Sequence, residues 1–237
     1  MSETTSQFLE RSGVQVAINA NFFAPCCDAF PEYKTVIGLA VSDGVVVAPP
    51  TSGAGNSNVA LLLSQHNQAT IATTTTSMDV SNVLNAVAGS AIIVQNGINI
   101  GAQSPNEGDP TNPNPRTDVG VSQDGRFLYL VAIDGRQPGY SVGTTASETA
   151  DLMIGFGAYT AMNLDGGGST AVVQSNGSGG AIDLNRPSGG TERFDANALG
   201  VFAQPLAVPE PGTLGVLSVG LLGLMVVSAR ASRFWRS

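Results

Sequence analysis

Twenty-nine glycines spread through 237 residues set the first limit on the fold. A glycine inside a helix costs about 1 kcal/mol relative to alanine, so a chain so rich in them is not assembled from long helices. The apolar residues accordingly fall in short, often β-branched runs bounded by turn residues, the pattern of strands. Residues 14–19, 35–42, 45–48, 59–63 and 69–73 read as strands, with Asp43-Gly44 as the hairpin turn between the second and third. Residues 91–95, 119–122 and 127–133 continue the series, the last two facing each other across Gln123-Asp124-Gly125-Arg126. Helical spacing is clear at 4–12 and at 145–155, where Ala150, Met153 and Ile154 share a side, and residues 81–88 also fit a short helix. Residues 101–114 form a polar loop rich in proline and asparagine, and 175–180 a Gly/Ser loop placed to act as a lid. The expectation is one α+β domain over residues 1–204, with mostly antiparallel mixed sheets and two short helices, followed by a distinct tail over 205–237.

Charge narrows the function. Residues 1–207 hold seven basic and seventeen acidic side chains, a net charge near −10. Such a surface repels phosphate backbones, which excludes nucleic-acid binding while leaving room for a local arginine pocket. The adjacent Cys26 and Cys27 are the only cysteines and His66 the only histidine. Neighbouring cysteines rarely bridge each other, and this set is too small for a zinc site, so a structural or incidental role is expected for both. His66 reads as an exposed loop residue.

The eight residues Asn163-Leu164-Asp165-Gly166-Gly167-Gly168-Ser169-Thr170 carry the strongest chemical signal. A strand-like run delivers one carboxylate to a flexible, hydroxyl-rich turn. Successive N–H groups of Gly166, Gly167 and Gly168 can form an anion-binding nest, and Ser169 and Thr170 can donate to a phosphate or sugar. The structural alternative is a tight hairpin with 170–173 as the returning strand.

Other segments join this one in an order that resembles the phosphodiester glycosidase family: Ala17-Ile18-Asn19-Ala20-Asn21-Phe22-Phe23, Pro115-Arg116-Thr117 with Val119-Gly120-Val121, Asp134-Gly135-Arg136, and Thr144-Thr145-Ala146-Ser147-Glu148. After Asn163–Thr170 come Asn185-Arg186-Pro187, Glu192-Arg193 and Asn197-Ala198-Leu199. Its best-known member is a lysosomal enzyme that removes N-acetylglucosamine from a phosphodiester to expose mannose 6-phosphate. The resemblance implies a hydrolase cleaving the glycosyl C1–O bond of sugar-1-phosphodiesters. Such a leaving group needs charge stabilisation more than protonation, which Arg116, Arg136 and Arg193 would supply; each can instead pair with a nearby acid such as Asp134 or Glu192. Glycosidases commonly use two carboxylates, here Asp165 and Glu148, with Asp134 next. Glu148 also fits a capping box begun by Thr145, and Asp134 can simply shape a turn. Asn19, Asn21, Thr117 and Asn163 join Gly166–Thr170 as substrate-binding candidates, although the asparagines can equally satisfy strand-end backbone groups. No cofactor is implied. Oxygens of Asn163, Asp165 and Asp134 could hold Ca²⁺ or Mg²⁺, but without EF-hand spacing. The alternatives are a non-catalytic surface carbohydrate-binding protein or an inactive, truncated relic.

The tail adds a destination. Pro209-Glu210-Pro211, an apolar stretch at 213–229 and then Arg230, Arg233 and Arg236 resemble the PEP-CTERM sorting signal of Gram-negative bacteria. Its stretch lies at the lower limit for a membrane-spanning helix, and the arginines would stay cytoplasmic. The resemblance implies an exosortase-type sorting protease as partner and anchorage in the inner membrane before processing. The cell surface or extracellular matrix would follow, with a surface or extracellular polysaccharide as substrate. Residues 1–11 lack the pattern of a signal peptide, so a misassigned or truncated start at Met1 is expected, with upstream strands missing as well.

Overall fold

The computed structural model describes residues 2–27, 33–51, 57–103 and 110–203. The expected membrane-spanning stretch at 213–229, Met1 and the middle of the polar loop lie outside the described residues. Among the described residues no helix is long and apolar enough to cross a membrane.

Helix α1 (Thr5–Ser12) precedes strands β1 (Val16–Asn19), β2 (Phe23–Ala24), β3 (Thr35–Val36), β4 (Ala40–Ser42) and β5 (Val45–Ala48). Then come β6 (Val59–Ser64), β7 (Ala69–Thr73), β8 (Val83–Gly89), β9 (Ala91–Gln95) and β10 (Ile98–Asn99). The second half carries β11 (Arg116–Val121), β12 (Leu128–Ile133), helix α2 (Ala146–Phe156) and β13 (Thr160–Asn163). A 3-10 turn at Gly167–Ser169 leads to β14 (Val172–Ser175), β15 (Ala181–Asp183) and β16 (Ala198–Val201). Every strand pair is antiparallel.

Three sheets do most of the building, ordered β5-β4-β8-β6-β7, β10-β9-β13-β11-β12 and β15-β14-β1-β16, with β2-β3 as a small fourth. All three converge on one core, to which Ile18, Leu61, Val119, Met162, Leu164 and Leu199 contribute. Helix α2 packs Ala150 and Met153 against Ile93, Val94 and Ala161 of the second sheet. Helix α1 lays Leu9 over Ala17 and Val173 of the third.

Several expectations change. Residues 81–88 are not a helix: β8 runs from Val83 to Gly89 between β4 and β6. Pairing along both edges and burial of its second half outweigh a weak local helical preference. The 35–42 strand breaks in two at Gly38, whose φ is +82° and whose Cβ position would lie 2.5 Å from Ser57. The 175–180 loop is a hairpin turn joining β14 to β15, closed by Asn176 N–H donating to Gly180 O at 2.9 Å, so it is no lid. Cys26 and Cys27 bridge each other as a vicinal disulfide, contrary to the expectation, at the end of a short segment that also holds a cis Ala24–Pro25 bond. The Asp43-Gly44 hairpin and the β11–β12 pair form as read.

Candidate active site

The hairpin alternative for 163–170 fails because its flanking strands lie in different sheets: β13 belongs to the second and β14 to the third. The chain crosses between them at Asp165. Leu164 N–H donates to Thr117 O on β11 at 2.8 Å, and Asp165 N–H donates to Ala20 O beyond β1 at 2.9 Å. Asn19 locks the crossing from beneath. Its Nδ2 donates to Asp165 O at 2.6 Å, and its Oδ1 accepts from Thr117 Oγ1 at 2.8 Å and Ala171 N–H at 3.1 Å. Thr170 Oγ1 lies 3.3 Å from the Thr117 hydroxyl, closing a buried polar cluster. Asn19 thus holds the Asp165 backbone, and Thr117 spends its hydroxyl on Asn19 and Thr170.

Each of the three glycines has its own steric reason. A Cβ on Gly166 would lie 2.8 Å from Pro115 O. Gly167 has φ +63°, and its Cβ position lies 3.0 Å from Arg136 Nη1. On Gly168 a Cβ would fall 2.0 Å from Arg193 Nη2. Two guanidiniums therefore occupy the space that side chains on consecutive residues would fill. Two of the three amides expected to form an anion nest are bonded within the protein. Gly167 N–H donates to Pro115 O, Ser169 N–H to Gly166 O and Thr170 N–H to Gly167 O, and Gly166 N–H bonds the Asp165 carboxylate. The turn thus commits the Gly166 and Gly167 amides that a nest would leave open, and two guanidiniums lie against it.

The acid that stands beside Asp165 is Asp195. Asp195 is 3% exposed, and among the described residues its two carboxylate oxygens have no well-formed hydrogen bond. Burial, and then the neighbouring charge of Asp165, push its pKa well above the usual carboxylate value; Ser169, Arg193 and Lys34 offset only part of this. Asp165 is partly exposed yet hemmed in enough that desolvation lifts its pKa to about 6, against the pull of Ser169, Arg193, Gly166 and Lys34. Ser169 sits between the acids and accepts from Arg193 Nη1 at 3.3 Å. Each acid therefore favours its protonated form more than a free carboxyl group does, and their charges oppose each other. The Asp195 backbone is held by the N-terminal segment: Glu3 N–H donates to Asp195 O at 3.3 Å, and Asp195 N–H donates to Glu3 O at 3.0 Å. Glu192 bonds the first turn of α1 through Ser6 N–H and the Ser6 hydroxyl, so it does not neutralise Arg193. Lys34, just before β3, approaches the pair with Nζ 4.6 Å from the ring centroid of Phe23 on the paired strand β2.

The other candidates are placed elsewhere. Glu148 is the exposed third residue of α2, accepting from Thr145 N–H at 2.8 Å and from the Thr145 hydroxyl at 2.9 Å, which holds its pKa below the usual value. It completes a capping box, as the structural alternative had it. Glu148→Ala should lower Tm modestly while leaving the pKa-shifted pair at Asp165 intact, so turnover should change less than about twofold. Melting curves and turnover of the same sample check this. Asp134 Oδ1 accepts from Asn185 Nδ2 at 3.0 Å and Arg186 N–H at 2.8 Å, and its Oδ2 from Tyr140 OH at 3.0 Å. It binds two loops rather than facing Asp165. Asn21 spends both Nδ2 protons on Ile37 O and Leu39 O, and its Oδ1 on Ala88 N–H and Asn197 Nδ2, which leaves nothing for a sugar. Asn163 Nδ2 donates to Ser90 Oγ and Leu164 O. Arg116 is buried and donates from Nε to Thr144 O at 3.0 Å and from Nη2 to Asn112 O at 3.4 Å. Of the three groups read as metal ligands, Asp134 and Asp165 have hydrogen-bond partners for their carboxylates, while Asn163 Oδ1 is buried without one among the described residues.

Sequence reasoning passed over Asp195 and Lys34. Asp195 lies two residues after Arg193, inside a span already marked at both ends. Lys34 is the only lysine in the chain, a signal of its own in a protein so poor in cations.

Residues 12–202 match the phosphodiester glycosidase family. The chain belongs to that family. Residues 207–231 match the PEP-CTERM protein-sorting motif. No curated protein matches the chain. Among solved structures, the catalytic domain of zebrafish N-acetylglucosamine-1-phosphodiester α-N-acetylglucosaminidase, auto-inhibited by its pro-peptide, is similar with a TM-score of 0.67 at 18% identity, over 86% of this chain and 68% of that one. A protein of Burkholderia pseudomallei assigned as exported gives 0.64 at 18% identity, over 85% and 68%. A Synechocystis protein gives 0.58 at 16% identity, over 86% of this chain but 54% of its own length. At such identities the structural likeness speaks for the phosphodiester glycosidase fold alone.

Proposed function

We propose that this protein hydrolyses glycosyl phosphodiesters at the sugar C1–O bond, using Asp165 and Asp195 as its carboxylates and Arg136 and Arg193 as its phosphate ligands. The observation that carries this is the acid pair sharing Ser169 beside Arg193, next to the two guanidiniums packed on Gly167 and Gly168. A phosphodiester brings a negative charge to the site, so the proton on the pair halves the repulsion it meets. Water attacks C1, the C1–O electron pair leaves with the phosphate, and Asp165 takes the proton from that water. Arg136 and Arg193 stabilise the departing phosphate by charge-assisted hydrogen bonds. Residues 1–204 are the hydrolytic part and 205–237 the sorting tail. The sorting motif supports export, with 213–229 anchoring the inner membrane until an exosortase-type protease releases the protein to the surface, where a phosphodiester-linked polysaccharide is the substrate.

The test is release of free sugar from UDP-N-acetylglucosamine and other sugar-1-phosphodiesters by the full chain. Asp195→Asn should lower kcat by at least about a hundredfold. Sugar binding without release by the wild type would turn the reading to a carbohydrate-binding protein. Release undiminished in Asp195→Asn would remove Asp195 from the chemistry.

A further inference from the structure

One cation near the acid pair has no part in the scheme above. Lys34, the only lysine of the chain, comes in on the β2–β3 hairpin, and that hairpin is rooted at both acids. On one side Asp165 N–H donates to Ala20 O at 2.9 Å. On the other, two residues past Asp195, Asn197 Oδ1 accepts from Asn21 N–H at 3.0 Å and Asn197 Nδ2 donates to Asn21 Oδ1 at 3.0 Å. The returning limb is fastened to the same root. Asn21 Nδ2 donates to Ile37 O at 3.0 Å, Ile37 N–H donates to Phe22 O at 2.8 Å, and Phe23 pairs with Val36. Lysine is a point charge on a flexible stem, so a fixed backbone does not by itself aim it. The aim comes from Phe23, whose ring is 5% exposed and lies under Lys34 Nζ at 4.6 Å, within range of the attraction between an ammonium and an aromatic face. From there the charge of Lys34 acts on both Asp165 and Asp195. The other charged groups nearby are placed differently. Arg193 packs on Gly168, and Arg136 packs on Gly167 while donating to Asn114 Oδ1. Glu192 turns to Ser6, and Glu3 turns to Arg11.

We propose that Lys34 is a positioning residue for charge: its ammonium, aimed by Phe23, allows Asp165 to stay ionised beside Asp195. The proposal rests on the hydrolytic reading, in which Asp165 takes a proton from the attacking water and must be ionised first. Two carboxylates brought together out of water disfavour each other's charge. Arg136 and Arg193 are taken as the phosphate ligands, so a bound substrate engages their charge. Lys34 comes from a different element, and its charge remains with the acids in the loaded site. Without that cation both acids hold their protons to higher pH. The acidic limb of the kcat/KM profile then moves to higher pH, while the plateau above it stays.

Lys34→Met, which keeps a long stem without its charge, tests this in the full chain. Carbon-13 titration of the aspartate carboxyls reads the acids without turnover, with signals assigned through Asp165→Asn and Asp195→Asn. In Lys34→Met both acids should titrate at higher pH than in wild type. Lys34→Arg keeps a cation on the ring and should restore the wild-type curves. Phe23→Leu keeps an apolar side chain but no ring, and should move the titrations the same way by a smaller amount. In turnover of UDP-N-acetylglucosamine, Lys34→Met should lose at least about fivefold in kcat/KM at pH 5, the scale of one partly solvated charge. At pH 8 the loss should be less than about twofold. Carboxyl titrations that do not move in Lys34→Met would overturn the proposal. So would a KM raised at every pH with the acidic limb unmoved, which would make Lys34 a phosphate ligand instead. Moved titrations with no sugar release by the wild type would sink the hydrolytic reading and leave the hold of Lys34 on the acids standing.

Discussion

Replacing Asp165 by asparagine is expected to abolish sugar release and at the same time make the fold more stable at neutral pH. The two effects share a cause. Desolvation raises the Asp165 pKa from 3.8 to about 6, so the folded protein holds a proton that the unfolded chain has already lost. A carboxyl with a raised folded pKa contributes most below its unfolded value. That contribution declines as pH rises through the window from about 4 to 6 and is absent above it. At pH 7 the ionised group is a burden on the fold, on the order of 2 kcal/mol once partial water access is allowed for. The amide of Asp165→Asn carries no charge and would also relieve the repulsion on Asp195. Urea melts of wild type and Asp165→Asn across pH 4–8 measure this. The variant should gain on wild type as pH rises through the window, with kcat down by at least about a thousandfold. A variant less stable than wild type at pH 7, with the same pH slope, would show that Asp165 is not held against its own charge.

The largest loss of stability should come from Asn21→Ala. Asn21 is 1% exposed and joins three parts of the fold through its side chain: Ile37 O and Leu39 O, Ala88 N–H, and Asn197 Nδ2. Removing it strands two buried partners, Leu39 O and Ala88 N–H, at about 1–3 kcal/mol each before relaxation, and two part-buried ones, Ile37 O and Asn197 Nδ2, at less. A net loss of at least about 3 kcal/mol is expected, read as a fall in the urea midpoint. Activity per folded molecule should change little, because no bond of Asn21 reaches Asp165 or Asp195. A variant as stable as wild type but unable to bind substrate would return Asn21 to the role of a sugar ligand.

These two residues show where reading the chain succeeds. Asp165 was legible because a lone carboxylate at the end of an apolar run, before three glycines, is a local pattern. Its chemistry needs a flexible turn, and glycine is how a chain writes one. Asn21 was legible as important but not in role, because an amide at a strand end serves equally to bind sugar or backbone. Only the partners decide, and they lie at residues 37, 39, 88 and 197. Glu148 shows the same ambiguity at a helix start, where the capping box was visible in Thr145-Ala146-Ser147-Glu148 itself. The 81–88 segment misleads for a different reason: a central strand in which Val83, Asn85 and Val87 alternate with apolar residues carries little period-2 pattern once both faces pack.

Alone, the sequence determined the class of the fold, the family, the glycine turn with its carboxylate, and the sorting motif. Each of these is written in composition, spacing or order along the chain. The tertiary structure alone decided which acid stands opposite Asp165, what fills the space left by Gly167 and Gly168, and how Tyr140 is held. The physical reason is distance along the chain. Asp195 meets Asp165 across thirty positions because β14 and β16 flank β1, and a carboxyl group's pKa rises only where packing draws it away from water.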